Sequence, residues 1–458
     1  MLFRRYSPRH NENYGLRDSF SKPHTAGYTL ILMIEMNICF RFGPVFWKTA
    51  CLSVNSGLIG DNEKGADYGA IAKAVGDMKG IILNPDINLS KNGFTPLEKE
   101  NKILFGLKPI PGLGSDVVDS VIENRPYSSF NDFYEKLVAS KIISEKKAVQ
   151  LIKAGCFDSF EKDRRQLMID YIKIITPERE KLTMAQFPIV SHIIDKEKYK
   201  KELNLYDFRM SCFGRNKIPM NEELEKEFIS KYSKEEIEYS FEENKLVIDE
   251  KDFNKFYQKS IDPLKKWINT EEVLEEFRKV KMREFWRANC MGSIEYWEME
   301  TILFYSDKHE LDYMPLDKNF NIVDFNSLPA EPVITGYKTY KNRKYPQFKI
   351  DTIAGTVVEK NKGKRLVHIL TQDGVVTIRY SKGQYNYYDK KVVRVKGKEK
   401  EVLDESWFQR GTKLILVGFR RGEEFVLRKT GTMYNHTTIK IQGFNKDRLS
   451  LQTEKIEE

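Results

Sequence analysis

In Ile110-Pro111-Gly112-Leu113-Gly114-Ser115-Asp116-Val117-Val118, a tight Gly-x-Gly turn runs straight into an amphipathic helix, and the organisation of the chain is best read outward from here. Ser115 or Asp116 is available to cap that helix, and Val117, Val118, Val121 and Ile122 share one face at helical spacing. Glycine takes backbone angles that other residues resist, so several N–H groups can turn outward together. Added to the positive end of the following helix, those donors make a seat for a phosphate oxygen. Arg125 ends the element with a cation. The same pattern also suits an ordinary helix start; the one-sided apolar face and Arg125 favour the phosphate seat. The apolar run from Ile103 to Ile110 is expected to supply the first helix of a helix-hairpin-helix unit, although Pro109 and Pro111 leave it little room. Such a seat holds backbone rather than bases, which implies sequence-independent grip on a nucleic acid.

Helical spacing resumes from Ser129 to Leu137 and from Ser144 to Ala154. The later helix echoes the first: Ser144 can cap it, Ala148, Leu151 and Ile152 form its apolar face, and Gly155 closes it. Lys146 and Lys147 stand in its first turn, where a cation opposes the helix dipole and a nearby phosphate would relieve the conflict. Solvated surface lysines are the other reading. The candidate phosphate contacts are Gly112, Leu113, Gly114, Ser115, Arg125, Lys146 and Lys147.

The 458 residues suit roughly three domains. Lys and Arg number 76 against 67 Asp and Glu, a net charge of +9 that is compatible with a polyanionic partner without demanding one. The five cysteines (Cys39, Cys51, Cys156, Cys212, Cys290) show no CxxC spacing and read as reduced thiols. The six histidines are dispersed, so neither set suggests a zinc site. The apolar segment from Tyr28 to Phe40 is shorter than the roughly 20 residues a membrane span needs, and Glu35 and Arg41 interrupt it. It is expected to be a buried helix.

Between about 160 and 300 the chain is charged and helical, with solvated faces around aromatic anchors. Beyond 330, short β-rich runs (Ile350–Val358, Leu366–Leu370, Val375–Tyr380, Val392–Val395, Lys413–Phe419, Glu424–Arg428) are punctuated by glycines, which suits a small barrel such as an OB-fold. Before them, residues 337–349 carry five basic residues and no acidic one, interleaved with aromatics. A second basic and aromatic run spans Arg379 to Lys391. Bases stack on aromatic faces while cations follow the backbone, so Tyr337, Lys338, Tyr340, Lys341, Arg343, Lys344, Tyr345, Arg379 and Tyr385 are candidate single-strand contacts. Strand propensity and edge solubility would account for the same residues.

Several segments, in order, resemble the C-terminal portion of the bacterial replicative DNA polymerases of the C family, the DNA polymerase III alpha subunits. Phe20-Ser21-Lys22-Pro23-His24 through Tyr28 is similar to a fingers motif, with Pro23 where the family has serine. Ile81 to Asn88 is similar to the family's Leu-Pro-Pro-Asp-Ile-Asn segment. Phe105-Gly106-Leu107 with Ile110 to Gly114 matches the start of its tandem helix-hairpin-helix domain, and Leu151 to Asp158 the end. Glu300 to Tyr305, His309 and Leu311-Asp312 resemble the helix before the OB domain. The resemblance covers about 18–175 and 295–430.

It implies an α+β multidomain chain: a loose N-terminus (1–20), the end of a fingers domain (21–98), a tandem helix-hairpin-helix domain (99–175), a charged helical insert (176–328) that departs from the family, an OB-fold (329–445) and a polar tail (446–458). It also gives Lys22 and His24 a nucleotide-facing position. The family's catalytic carboxylates hold Mg²⁺ in a palm domain on an Asp-x-Asp element, which this sequence lacks. The expectation is therefore a chain with no catalytic residue, metal ligand or bound cofactor of its own, working with a palm-bearing polymerase chain that holds the Mg²⁺. Expected partners are duplex DNA, single-stranded template and a sliding clamp, although no copy of the family's Gln-containing clamp peptide is evident. The expected location is the cytoplasm, at the nucleoid, with no membrane association. The alternative is a non-catalytic DNA-binding accessory protein built from the same modules.

Overall fold

A computed structural model describes residues 22–55, 71–72, 74–75, 78, 80–212, 217–232, 238–306, 309–314, 320–341, 343–390, 392–396, 399–404, 406–428, 437–445 and 450–454. The chain divides into two compact units, one of residues 1–167 and 292–458 and the other of 168–291. The expected loose stretch 1–20 lies outside the described residues, as does much of the expected tail. Ser450–Glu454 within that tail is a strand.

The first unit begins with helices α1 (Lys22–Phe42) and α2 (Pro44–Asn55). The segment 28–40 is helical as expected, but it is exposed rather than buried: Leu30, Met33, Met36 and Phe40 are all more than half exposed. Its apolar residues surround the whole helix, and among the described residues α2 covers one side of it. Phe42 of α1 meets Phe46 of α2 edge-on at 6.1 Å. A three-stranded sheet follows, in which β3 (Lys102–Leu104) lies between β1 (Ile82–Leu83), parallel to it, and β2 (Thr95–Leu97), antiparallel. The expected first helix over 103–110 is therefore a strand running into turns. A short, fully buried apolar run carries no period that separates strand from helix, and Pro109 and Pro111 block the latter.

Next come α3 (Ser115–Glu123), α4 (Phe130–Phe133) with a π-helical turn (Tyr134–Ala139), and α5 (Glu145–Lys153). Val117, Val118 and Val121 of α3 are buried, each worth roughly 1.5–3 kcal/mol. Ser129 caps α4 by accepting a hydrogen bond from the Asp132 amide at 3.2 Å. Phe130, Phe133 and Phe157 form a core in which Phe157 lies 4.9 Å from each of the other two rings. Helix α6 (Arg164–Ile175) carries the chain to the second unit.

The second unit has its own core, including Phe187, Tyr206, Phe228, Phe253, Phe256 and Phe277. Its helices are α7 (Phe187–Val190), α8 (Lys200–Ser211), α9 (Glu222–Tyr232), α10 (Glu250–Ser260), α11 (Asp262–Trp267) and α12 (Glu271–Asn289). A small antiparallel sheet accompanies them, with β6 (Lys245–Asp249) between β4 (Lys217–Pro219) and β5 (Tyr239–Glu242). The charged insert thus contains strands as well as helices.

The first unit resumes with α13 (Ile294–Thr301). Arg165 donates to the Gly292 carbonyl at 2.8 Å, so the two ends of the excursion through the second unit are tied together. Hairpin β7 (Ile334–Tyr340) and β8 (Arg343–Phe348) forms a separate two-stranded sheet. The barrel strands are β9 (Asp351–Asn361), β10 (Leu366–Thr371) and β11 (Gly374–Arg379), then, after α14 (Lys382–Tyr388) and the hairpin β12 (Val392–Lys396) and β13 (Glu399–Asp404), β14 (Lys413–Arg421) and β15 (Glu424–Leu427). They close in the order β9-β10-β11-β15-β14-β9, with β11 and β15 parallel and the other pairs antiparallel. This is a closed five-stranded, OB-like barrel. One edge of β14 is shared between β15, at Gly418–Arg421, and β16 (Thr438–Asn445), at Lys413–Leu416. At Gly418 a Cβ would stand 2.2 Å from the Val426 carbonyl oxygen, so only glycine fits there. β17 (Ser450–Glu454) pairs with β16. The expected strand Val392–Val395 lies in the β12–β13 hairpin, outside the barrel ring.

Candidate nucleic-acid interface

The first hairpin turns on Gly112, whose φ of +85° favours glycine. Ile110 and Leu113 anchor it from below, at 0% and 7% exposure, while Gly112, Gly114 and Ser115 remain exposed. Gly114, rather than Ser115 or Asp116, is the N-cap of α3, in extended conformation and without a side-chain cap. The first N–H groups of α3 consequently have no partner within the helix, the condition a bound anion would satisfy.

A second turn of similar construction precedes α5. Lys141 has a φ of +62°, Ile143 is buried at 3% exposure, and Ser144 is the N-cap, again without a side-chain cap. Lys147 of α5 donates its ammonium to the Gly112 carbonyl, which brings the start of α5 beside the first hairpin. Lys146 is exposed next to it. Gly112, Leu113, Gly114, Ser115, Lys146 and Lys147 therefore lie together. Lys141, exposed at the tip of the second turn, was missed by the sequence reading, because its αL backbone has no glycine to announce it.

Arg125 is placed differently. Its Nε donates to the Ile87 carbonyl at 2.7 Å and its Nη2 to the Ser90 carbonyl at 2.6 Å, and burial lowers its pKa. The guanidinium ties α3 to the preceding segment instead of joining the exposed N–H groups, so the expected phosphate contact does not fit its position. His24 is exposed on the first turn of α1, edge-on to Tyr28 at 4.6 Å. Lys22 is the first residue of that helix. Both belong to an element separate from the hairpins.

The helix-hairpin-helix region is fastened to the barrel through α13. Arg164 holds Asp158 in two parallel hydrogen bonds and donates to Glu298 at 2.9 Å, and Lys153 pairs with Glu300 at 2.7 Å. Burial opposes the charge on Arg164, but the hydrogen bonds and charges of Asp158 and Glu298 together outweigh it and raise the pKa. Tyr305 bonds Thr356 of β9 at 3.0 Å, and the buried His309 bonds the Leu370 carbonyl of β10 at 3.0 Å.

On the barrel, Val367, Ile369, Val376 and Ile378 point inward and are buried, while Leu366, His368, Thr377 and Arg379 face out. Arg379 is engaged by Glu424 through two hydrogen bonds, which raise its pKa and lower that of the carboxyl. Tyr385 is 1% exposed in α14, packed on Phe408 with rings 5.1 Å apart, and its phenol is pushed up to about 12 by burial. It belongs to the core, and the expected stacking on a base is corrected accordingly. Lys362, Lys364 and Arg365, in the turn between β9 and β10, are exposed with no acidic partner among the described residues. The Asn361-Lys-Gly-Lys-Arg365 cluster could have signalled them.

Among the described residues no group of three or more His, Cys, Asp or Glu could hold a metal, and no helix is long and apolar enough to cross a membrane. The five cysteines are free thiols.

Residues 80–167 match the model of the helix-hairpin-helix motif family, the class that the two turns define. The chain is 35% identical over 462 residues to a probable DNA polymerase, YorL, of Bacillus subtilis strain 168, and equally to a DNA-directed DNA polymerase of Bacillus phage SPbeta. In both cases the match takes in 96% of this chain and 35% of the relative. The DNA polymerase III subunit alpha of Borreliella burgdorferi is 30% identical over 197 residues, 42% of this chain and 16% of that protein. The resemblance drawn from the ordered segments is thus borne out: the chain is similar to a bacterial and a phage DNA polymerase over nearly its whole length, and to a DNA polymerase III alpha subunit over 42% of it. It spans about a third of the length of the Bacillus relatives. A match over 96% of the chain also takes in most of the charged region between 176 and 328.

Proposed function

We propose that this chain is the DNA-gripping, C-terminal part of a C-family replicative polymerase, acting with a palm-bearing polypeptide that carries the bond-making carboxylates. The observation that carries the reading is the pairing of two helix starts, at Gly114 and Ser144, joined by the bond from Lys147 to Gly112. Two adjacent helix N-termini with exposed backbone donors hold successive phosphates of one strand without reading bases. Lys141, Lys146 and Lys147 supply long-range attraction to the duplex. The outer face of β10 and β11, flanked by Lys362, Lys364 and Arg365, is where a barrel of this topology takes a single strand, and the template is the strand we assign to it. Mg²⁺ would be held by the palm of the partner chain, where it would align the attacking hydroxyl and the leaving pyrophosphate. The work of this chain is to hold the duplex in register while that chemistry proceeds.

The test is binding and extension with the purified chain. It is expected to bind primer-template DNA with affinity that falls steeply with salt, and to extend no primer when given Mg²⁺ and nucleotides. Primer extension by the chain alone, or salt-insensitive binding, would overturn the reading.

A further inference from the structure

The basic and aromatic run 337–349, with its candidate single-strand contacts from Tyr337 to Tyr345, falls in the hairpin β7–β8, and among the described residues these two strands pair with each other and stand apart from the barrel sheet. The hairpin is exposed along nearly its whole length on both faces. Tyr337, Tyr340 and Tyr345 are 62%, 61% and 48% exposed, unusual values for three tyrosines in one hairpin. Lys338, Lys341, Arg343 and Lys344 have no acidic partner among the described residues, and the hairpin contains no Asp or Glu.

Cross-strand register distributes these groups over two faces. Lys338 opposes Tyr345 and Tyr340 opposes Arg343, so these four share one face. Tyr337 opposes Pro346 and Thr339 opposes Lys344, placing a tyrosine and a cation on the other. A platform for a single strand needs one such face. Cations on both faces of a free-standing ribbon suit a site with phosphates on either side of it. Among the described residues the ribbon is held at its base, where Phe348 packs on Phe419 of β14 at 4.7 Å; there the Lys349 amide closes the hairpin by donating to the Val333 carbonyl at 2.8 Å. Seven residues of strand reach roughly 23 Å, and the major groove of B-DNA, about 12 Å wide, admits a two-stranded ribbon.

We infer that β7–β8 is a groove-entering ribbon for duplex DNA, with Lys338 and Arg343 on one phosphate wall and Lys344 on the other. The inference rests on the DNA-gripping reading above and names a second, independent contact with the duplex. Its test uses the full chain, fluorescence anisotropy over a salt series, and blunt duplex and single-stranded DNA of equal length. K338A/R343A/K344A should retain its circular dichroism and melting profile, because all three side chains are exposed. Duplex affinity should fall tenfold or more, and the salt slope by about 2 to 3, with single-strand affinity changed less than threefold. Wild-type chain should protect guanine N7 from dimethyl sulfate within the duplex, and the triple variant should lose that protection. Y337A/Y340A/Y345A should weaken duplex binding less than the cation variant does. The inference fails if single-strand affinity drops as much as duplex affinity, or if the cation variant binds duplex like the wild type. In the latter case the proposed function survives; a wild-type chain that binds neither DNA would overturn both.

Discussion

Arg125 and Lys147 are both cations near the first hairpin, yet their surroundings separate them. The guanidinium of Arg125 is committed to the carbonyls of Ile87 and Ser90, whereas Lys147 bridges the two helix starts at Gly112. Lys147→Met should weaken primer-template binding several-fold and reduce the salt slope by about 1. Arg125→Met should instead cost about 2 kcal/mol in denaturant unfolding and leave the affinity of the folded protein within twofold. Tyr127 gives a titration to follow. Its hydroxyl donates to the Val121 carbonyl at 2.8 Å, and burial pushes its phenol up to about 12. Because the folded pKa is raised above an unfolded value of about 10, the stabilisation from the neutral phenol is complete below that pH and lost as pH rises through about 12. Tyr127→Phe should flatten the melting-temperature profile across this window; an unchanged profile would remove Tyr127 from the alkaline limb.

At the scale of the element, what was legible depended on whether local chemistry or distant packing decided the outcome. The Gly-x-Gly turn, the valine face of α3 and the glycine-punctuated strands of the barrel are local, and the sequence reading places them closely. The strand over Lys102–Leu104 is set by its partners β1 and β2, which a single apolar run does not reveal. Helix α14 was readable in principle: Ser381 and Gln384 form a capping box, and that spacing marks the helix that takes Tyr385 into the core. Helix α1 poses the converse problem, since its apolar residues argue for burial yet Met36 and Phe40 are 72% and 91% exposed. Met36→Ser with Phe40→Ser should change the unfolding free energy by less than about 0.5 kcal/mol while reducing aggregation measured by light scattering.

For the whole molecule, the join between the helix-hairpin-helix region and the barrel rests on charge as well as packing. Arg164 and Glu298 are 6% and 3% exposed, and Glu298 also accepts from the Ser306 amide at 3.0 Å. Removing one member of a buried pair leaves the other uncompensated. Glu298→Ala should therefore destabilise the first unit by about 3 kcal/mol, the lower end of the usual range because Arg164 keeps Asp158. Thermal unfolding of the purified variant measures it. The Arg164–Glu298 pair was not legible in the sequence, because the two residues lie 134 positions apart.

The bond from Arg165 to Gly292 has a consequence for ancestry rather than for energy. A segment whose two ends meet at one point of its host can be gained, lost or replaced in a single recombination event without tearing the host open. The 168–291 unit has that architecture and its own core. Exchanging it would leave the path of the first unit's chain intact.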